Sequence, residues 1–247
     1  MDIAEAASLR NFELSPHCGD NSNCLWSCRR CYSMLFRTHY RVRLVTSMPP
    51  HTKSQLLLKL AKKGPIRALD LDAIGVPRVY LKRLCESGEL ERIDRGLYRL
   101  ASADVTELSS LADVSKRVPH AAVCLLSALQ VHGLTTEVPH AVWLLIDREA
   151  RTPSIQSSKL EIVHASGAAR THGLERRVID GVKVTLTTPA KTVADCFRYR
   201  RHVGMEVPIS ALKDYLRKRK GTVDALVAAA RADRVLVFMR PYLEALS

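Results

Sequence analysis

Apolar and polar positions alternate with two different periods along this chain, and the changes of period divide it. From Lys53 to Lys63 the leucines Leu56, Leu57 and Leu60 recur at helical spacing, and Gly64-Pro65 ends the run. Leu69–Ile74 predicts a short second helix, with Gly75 at the turn. A third helix is predicted from about Pro77 to Ser87, with proline in its first turn and Gly88 closing it. At about 100° per residue, Tyr80, Leu81, Leu84 and Cys85 share one side of that helix. Arg78, Val79, Lys82 and Arg83 share the other. The period then falls to two: Leu90–Ile93 and Leu97–Leu100 pair as strands around Asp94-Arg95-Gly96. Helix, turn, helix and basic hairpin in this order predict a winged helix-turn-helix over residues 48–101.

Beyond the hairpin, Ser102–Asp104 is a polar connector. A helix is expected from about Val105 to Arg117, with Leu108, Leu111, Ala112 and Val114 inward and Pro119 stopping it. His120–His132 reads as a buried helix ended by Gly133. The pattern then changes to strands at Ala141–Ile146, Leu160–His164 and Val182–Leu186. Thr188 caps a helix over Pro189–Tyr199 whose apolar face is Val193, Ala194 and Phe197. Helices at Ser210–Lys220, Val223–Arg231 and Val235–Leu246 complete the chain. The fold class is therefore α/β, of the α+β kind: an N-terminal winged helix-turn-helix, then a mixed α/β domain over residues 105–247. Lys191 and Asp195, four apart on one helix, predict a surface ion pair.

Residues 1–47 do not match the rest. They hold Cys18, Cys24, Cys28 and Cys31, four of the seven cysteines, and their basic residues are all arginine. Two readings stand: a small zinc site drawn from His17 and these cysteines, or an unstructured extension preceding a natural beginning at Met48. Only Cys28-x-x-Cys31 has ligand-pair spacing and no second such pair balances it, which favours the extension and no metal. On that reading a protein starting at Met48 folds and binds as the full chain does.

Charge sharpens the picture. A formal net charge of +13 and a pI near 9.7 call for a polyanionic partner, either nucleic acid or an anionic membrane surface. No apolar run is long enough to span a bilayer, and the N-terminus lacks a basic region followed by an apolar block. Cys85, Cys124 and Cys196 sit in apolar contexts, as reduced core thiols do, so the expected location is cytoplasmic, with no membrane partner. In the winged helix, Arg78, Lys82 and Arg83 are placed to face the major groove of double-stranded DNA. Arg92, Arg95 and Arg99 are placed to hold the backbone or the minor groove, while Tyr98 packs the hairpin. The clusters Arg198–His202 and Arg217–Lys220 read equally as an extended DNA footprint and as solvated helix ends.

Two other classes fit parts of the pattern. Asp147 and Glu161 follow strand-like runs, as in metal-dependent nucleases, which makes a nucleic-acid-processing enzyme the alternative. The lysine that usually accompanies such a pair is missing, and neither a phosphate-binding Gly-rich loop nor a Gly-x-Ser-x-Gly elbow occurs. A protein-interaction module with a repurposed winged helix is the third reading. His120, His132, His140, His164, His172 and His202 are too scattered for a metal site. The chain is read as a non-enzyme without cofactor.

Several stretches are similar to one family. They are Gly75-Val76-Pro77 with Leu81-x-x-Leu84, the wing Arg95-Gly96-Leu97-Tyr98, HAAVCLLSALQVHGL at His120–Leu134, and VTLTTPAKTVADCF at Val184–Phe197. Together they resemble the AbiEi family, the antitoxin half of AbiE abortive-infection systems, over residues 53–247. The resemblance implies a DNA-binding domain that represses its own promoter and a C-terminal domain that opposes a nucleotidyltransferase toxin, typically without a stable complex. It assigns Thr188, Pro189, Lys191, Thr192 and Asp195 to the antitoxin-domain motif.

Overall fold

Leucines at helical spacing make the first helix, α1 (Pro50–Ala61), whose Leu57 is completely buried. It opens the region described by the computed structural model, residues 50–246. Residues 48–247 form a compact unit of their own, and the alternatives for residues 1–47 lie outside the described residues. After α1 come β1 (Ile66–Arg67), α2 (Ala68–Ile74), α3 (Val79–Glu86), β2 (Leu90–Asp94) and β3 (Leu97–Leu100). The three strands form an antiparallel sheet in the order β1-β3-β2, completing a winged helix. Leu71, Leu81, Leu84, Leu90 and Leu97 fill its core. Gly75 closes α2 at φ 65°, a conformation open to glycine at little cost. The helix expected from Pro77 begins at Val79, because the amides of Tyr80 and Leu81 bond back only three residues, to Pro77 and Arg78. Register slips between Arg92 and Asp94, so the hairpin carries a bulge just before its turn.

The second part is built on a five-stranded mixed sheet. Its elements are α4 (Ser109–Arg117), β4 (Ala122–Val123), α5 (Leu125–His132), β5 (Val142–Asp147), β6 (Leu160–Ala165) and α6 (Ala168–Thr171). Then follow β7 (Leu174–Ile179), β8 (Val182–Thr187), α7 (Pro189–Arg198), α8 (Arg200–Val203), α9 (Glu206–Arg217), α10 (Val223–Ala232) and α11 (Leu236–Leu246). Strand order is β6-β5-β4-β8-β7, with β5–β6 and β4–β8 parallel and the other pairs antiparallel. Alternation divides β5 between two cores: Val142, Leu144 and Ile146 pack with Leu111, Ala112 and Val114 of α4. Trp143 and Leu145 pack with Leu129, Val193, Phe197 and the C-terminal helices.

Three expectations change here. His120–His132 is not one helix: Ala122–Val123 is the central strand of the sheet, and the helix starts only at Leu125. Five successive buried apolar residues, 121–125, suit either structure, and the chain's pairing with β5 and β8 decides it. The helix expected from Val105 starts at Ser109, whose hydroxyl and that of Thr106 both donate to Asp180 Oδ2 across the molecule. The helix expected from Ser210 starts earlier, at Glu206, with Pro208 in its first turn.

The two parts meet backbone to backbone. Asp180 and Gly181 form the β7–β8 turn with φ of 45° and 73°. A Cβ added at Gly181 would overlap the Lys63 carbonyl oxygen, and one at Gly64 would press on that of Asp180. Gly181→Ala is therefore expected to destabilise the protein by about 3 kcal/mol in urea unfolding. A change near zero would mean that this seam opens freely.

Candidate nucleic-acid interface

Helix α3 buries Leu81 and Leu84 and turns Arg78, Val79, Lys82 and Arg83 to solvent. Arg78 sits at the helix start and pairs with Asp72 of α2 at 2.6 Å, both side chains being 57% exposed. Exposed pairs are worth little, so a phosphate or a guanine edge can displace the carboxylate. Lys82 lies 3.7 Å from Glu86 on the same face. The Arg83 guanidinium lies 5.5 Å from the Tyr80 ring centroid, which presents it as a flat donor array.

The wing carries Arg92 and Arg95 outward. Arg92 Nε donates to the Asp94 carbonyl at 3.3 Å. The Arg95 amide donates to Asp94 Oδ1 at 2.6 Å, and the Arg95 carbonyl accepts from Arg117 Nη1 at 2.6 Å. Tyr98 is half-buried within the hairpin. Arg99 departs from the expectation that it grips DNA. Its side chain is only 17% exposed and is held by Glu91 and, at 3.6 Å, by Asp113 of α4. The partner explains the orientation: burial pushes the Asp113 carboxyl up, and the Arg99 cation opposes that shift. Arg99 thus joins the two parts instead of facing outward.

The Thr188–Asp195 motif lies at the start of α7. Thr188 caps the helix, its Oγ1 accepting from the Lys191 amide at 3.4 Å, and Pro189 opens the first turn. Thr192 Oγ1 donates to the Thr188 carbonyl at 2.8 Å and lies 2.7 Å from Thr187 Oγ1. The expected surface pair of Lys191 and Asp195 is instead completely buried. Lys191 Nζ donates to Asp195 Oδ1 and, at 2.6 Å, to Asp233 Oδ1 from the end of α10. Spacing alone located Lys191 and Asp195. Asp233 escaped notice because it is brought in by tertiary folding. Burial, opposed by Lys191 and reinforced by the neighbouring Asp233 carboxylate, pushes the Asp195 carboxyl up to about 8. One proton on Asp195 makes the group neutral and supplies a donor where both Oδ2 atoms lack partners. His132 joins the same interior: its Nε2 lies 2.7 Å from the Thr187 carbonyl and therefore carries the hydrogen.

The other candidates are dispersed. Asp147 pairs in register with Ala165, and Glu161 with Trp143. The two carboxylates are thus four positions apart along neighbouring strands, about 13 Å, too far to share a metal ion. The thiols of Cys124 and Cys196 are pushed up by burial, as inert core thiols are. Arg198 donates to the Asp233 carbonyl at 2.8 Å, and Arg200 lies 4.1 Å from the Phe238 ring centroid. Arg217 and Lys218 pair with Asp214, leaving Arg219 and Lys220 exposed. Among the described residues no helix is long and apolar enough to cross a membrane.

Comparison with known proteins bears on both parts. Residues 55–101, from α1 to the end of β3, match the family model described as a transcriptional regulator, AbiEi antitoxin. A solved structure, the RV2827C protein from Mycobacterium tuberculosis, is similar with a TM-score of 0.51 over 75% of this chain and 76% of that one. At 15% identity that likeness is one of fold, and it extends beyond the winged helix. No curated protein matches the chain in sequence.

Proposed function

We propose that this chain is a sequence-specific DNA-binding regulator of the AbiEi antitoxin type that represses its own promoter. The observation that carries this reading is the outward face of α3, where Arg78, Val79, Lys82 and Arg83 are all exposed, as are Arg92 and Arg95 of the wing. A helix fits the major groove, its arginines can bond guanine, and an exposed valine can meet a thymine methyl. The wing's Arg92 and Arg95 grip phosphate. Residues 48–101 act as the DNA-binding domain, and residues 105–247 as the antitoxin domain, in the cytoplasm. That second domain opposes a nucleotidyltransferase toxin, functionally and without a lasting complex.

Base reading and backbone holding are separable. Arg78→Ala is expected to weaken binding about tenfold and to relax preference at one base position. Arg95→Ala is expected to weaken all sequences alike and to lower the salt slope by about one. Equal, sequence-independent losses at both positions would refute this division of labour. The antitoxin role is tested by producing the chain together with a nucleotidyltransferase encoded beside it. Restored growth supports the role, and unrelieved arrest contradicts it.

A further inference from the structure

We infer that Arg117, in the second part of the molecule, is a positioning residue that holds the wing in shape for Arg95 to contact DNA. The inference rests on the DNA-binding reading and adds a residue outside the winged helix to it. Helix α4 is fixed to the sheet by Leu111, Ala112 and Val114, all buried in the core beneath it. Its last turn faces the winged helix and touches it repeatedly. Arg67 Nη1 donates to the Lys116 carbonyl at 3.2 Å, and Lys116 Nζ lies 2.9 Å from Asp70 of α2. One turn earlier, Asp113 meets Arg99 of β3 at 3.6 Å. Arg117 completes the set by donating to the Arg95 carbonyl at 2.6 Å.

The consequence falls on Arg95. Its amide is held by Asp94 Oδ1 at 2.6 Å and its carbonyl by Arg117. Its guanidinium stands in solvent, without a hydrogen bond or ion pair to any described residue. The turn it rides on contains Gly96 at φ 75°, and the atoms nearest to a side chain there would be Ala68 Cβ and Arg117 Nη1. A two-sided clamp on the backbone with a free side chain is what preorganised binding requires, because the ordering cost is met before DNA arrives. A winged helix cut at residue 101 keeps Arg95 and loses the clamp.

The test is a double-mutant cycle between Arg95 and Arg117, read as affinity of the full chain for a short mixed-sequence DNA duplex at low salt. Arg117→Ala is expected to weaken binding about fivefold in the wild-type background and not at all beside Arg95→Ala. Arg117→Met keeps the aliphatic stem and removes the donor. It carries the same test if the alanine variant loses its thermal transition. Equal losses from the Arg117 change in both backgrounds would show that Arg117 acts on DNA by itself, and no loss in either would show that the clamp is idle. Both results overturn the inference. A wild-type protein that binds no duplex removes the DNA-binding reading itself, a failure distinguishable from the others.

Discussion

Replacing Lys191 by methionine is expected to lower the stability of this protein by about 3–5 kcal/mol, measured by urea unfolding at neutral pH. Lys191 is completely buried between Asp195 and Asp233, which are themselves almost completely buried. Methionine fills much of the same volume, so packing changes little. What disappears is the cation that both carboxyl groups share. Breaking a buried ionic group by removing one member leaves charge without a partner, which costs far more than the intact group contributes. Asp195→Asn is expected to be much milder, because the amide approximates the protonated carboxyl.

The same group sets a pH dependence. The folded-state value of Asp195 is raised from 3.8 to about 8. Its contribution is thus fully present below about 4 and is lost as pH rises through about 8. His132 acts in the opposite sense. Burial lowers it from 6.5, with the Thr187 carbonyl opposing, so its contribution is lost as pH falls below about 6.5. The two slopes therefore oppose each other just below about 6.5, where His132 changes charge, and stability is expected to fall with rising pH from there to about 8, a fall that Asp195→Asn should flatten. A Lys191→Met variant within about 1 kcal/mol of wild type, or a slope between about pH 6.5 and 8 unchanged by Asp195→Asn, would contradict this account.

The second large effect concerns DNA. Replacing Arg78, Lys82 and Arg83 together by alanine is expected to reduce operator binding about 10³-fold or more, to the level of non-specific DNA. All three side chains are exposed and outside the core, so the thermal transition should remain. Arg99→Ala is the matched control. It removes a partner of the buried Asp113, so it should cost stability while leaving the salt slope of the folded protein unchanged. If the triple variant binds the operator as well as wild type, α3 does not read DNA.

Helical spacing made α1 and α3 legible to within three residues at either end, since their buried leucines leave no other period. Thr188-Pro189 marked the start of α7 equally well, because both residues have a fixed place at a helix N-terminus. Strand β7 was missed: Leu174–Ile179 holds three charged residues and an exposed Val178, and its inward alternation is faint. The Asp180-Gly181 turn after it was the available signal, a dipeptide suited to a tight hairpin. The fates of Arg99 and Lys191 could not be read from local pattern. Each is decided by a carboxylate from another element, Asp113 for one and Asp233 for the other. The exposed arginines of α3 and the wing were legible because amphipathic spacing alone separates them from the core.

The most direct test of the central claim is fluorescence anisotropy of the full chain with the DNA upstream of its own coding sequence. A scrambled duplex of equal length serves as control, and both are titrated at several salt concentrations. A regulator that reads its own promoter binds the native duplex about 10³-fold or more tightly than the scrambled one. Equal, weak binding of both with a steep salt slope would reduce the basic charge to a generic attraction for nucleic acid, contradicting the account.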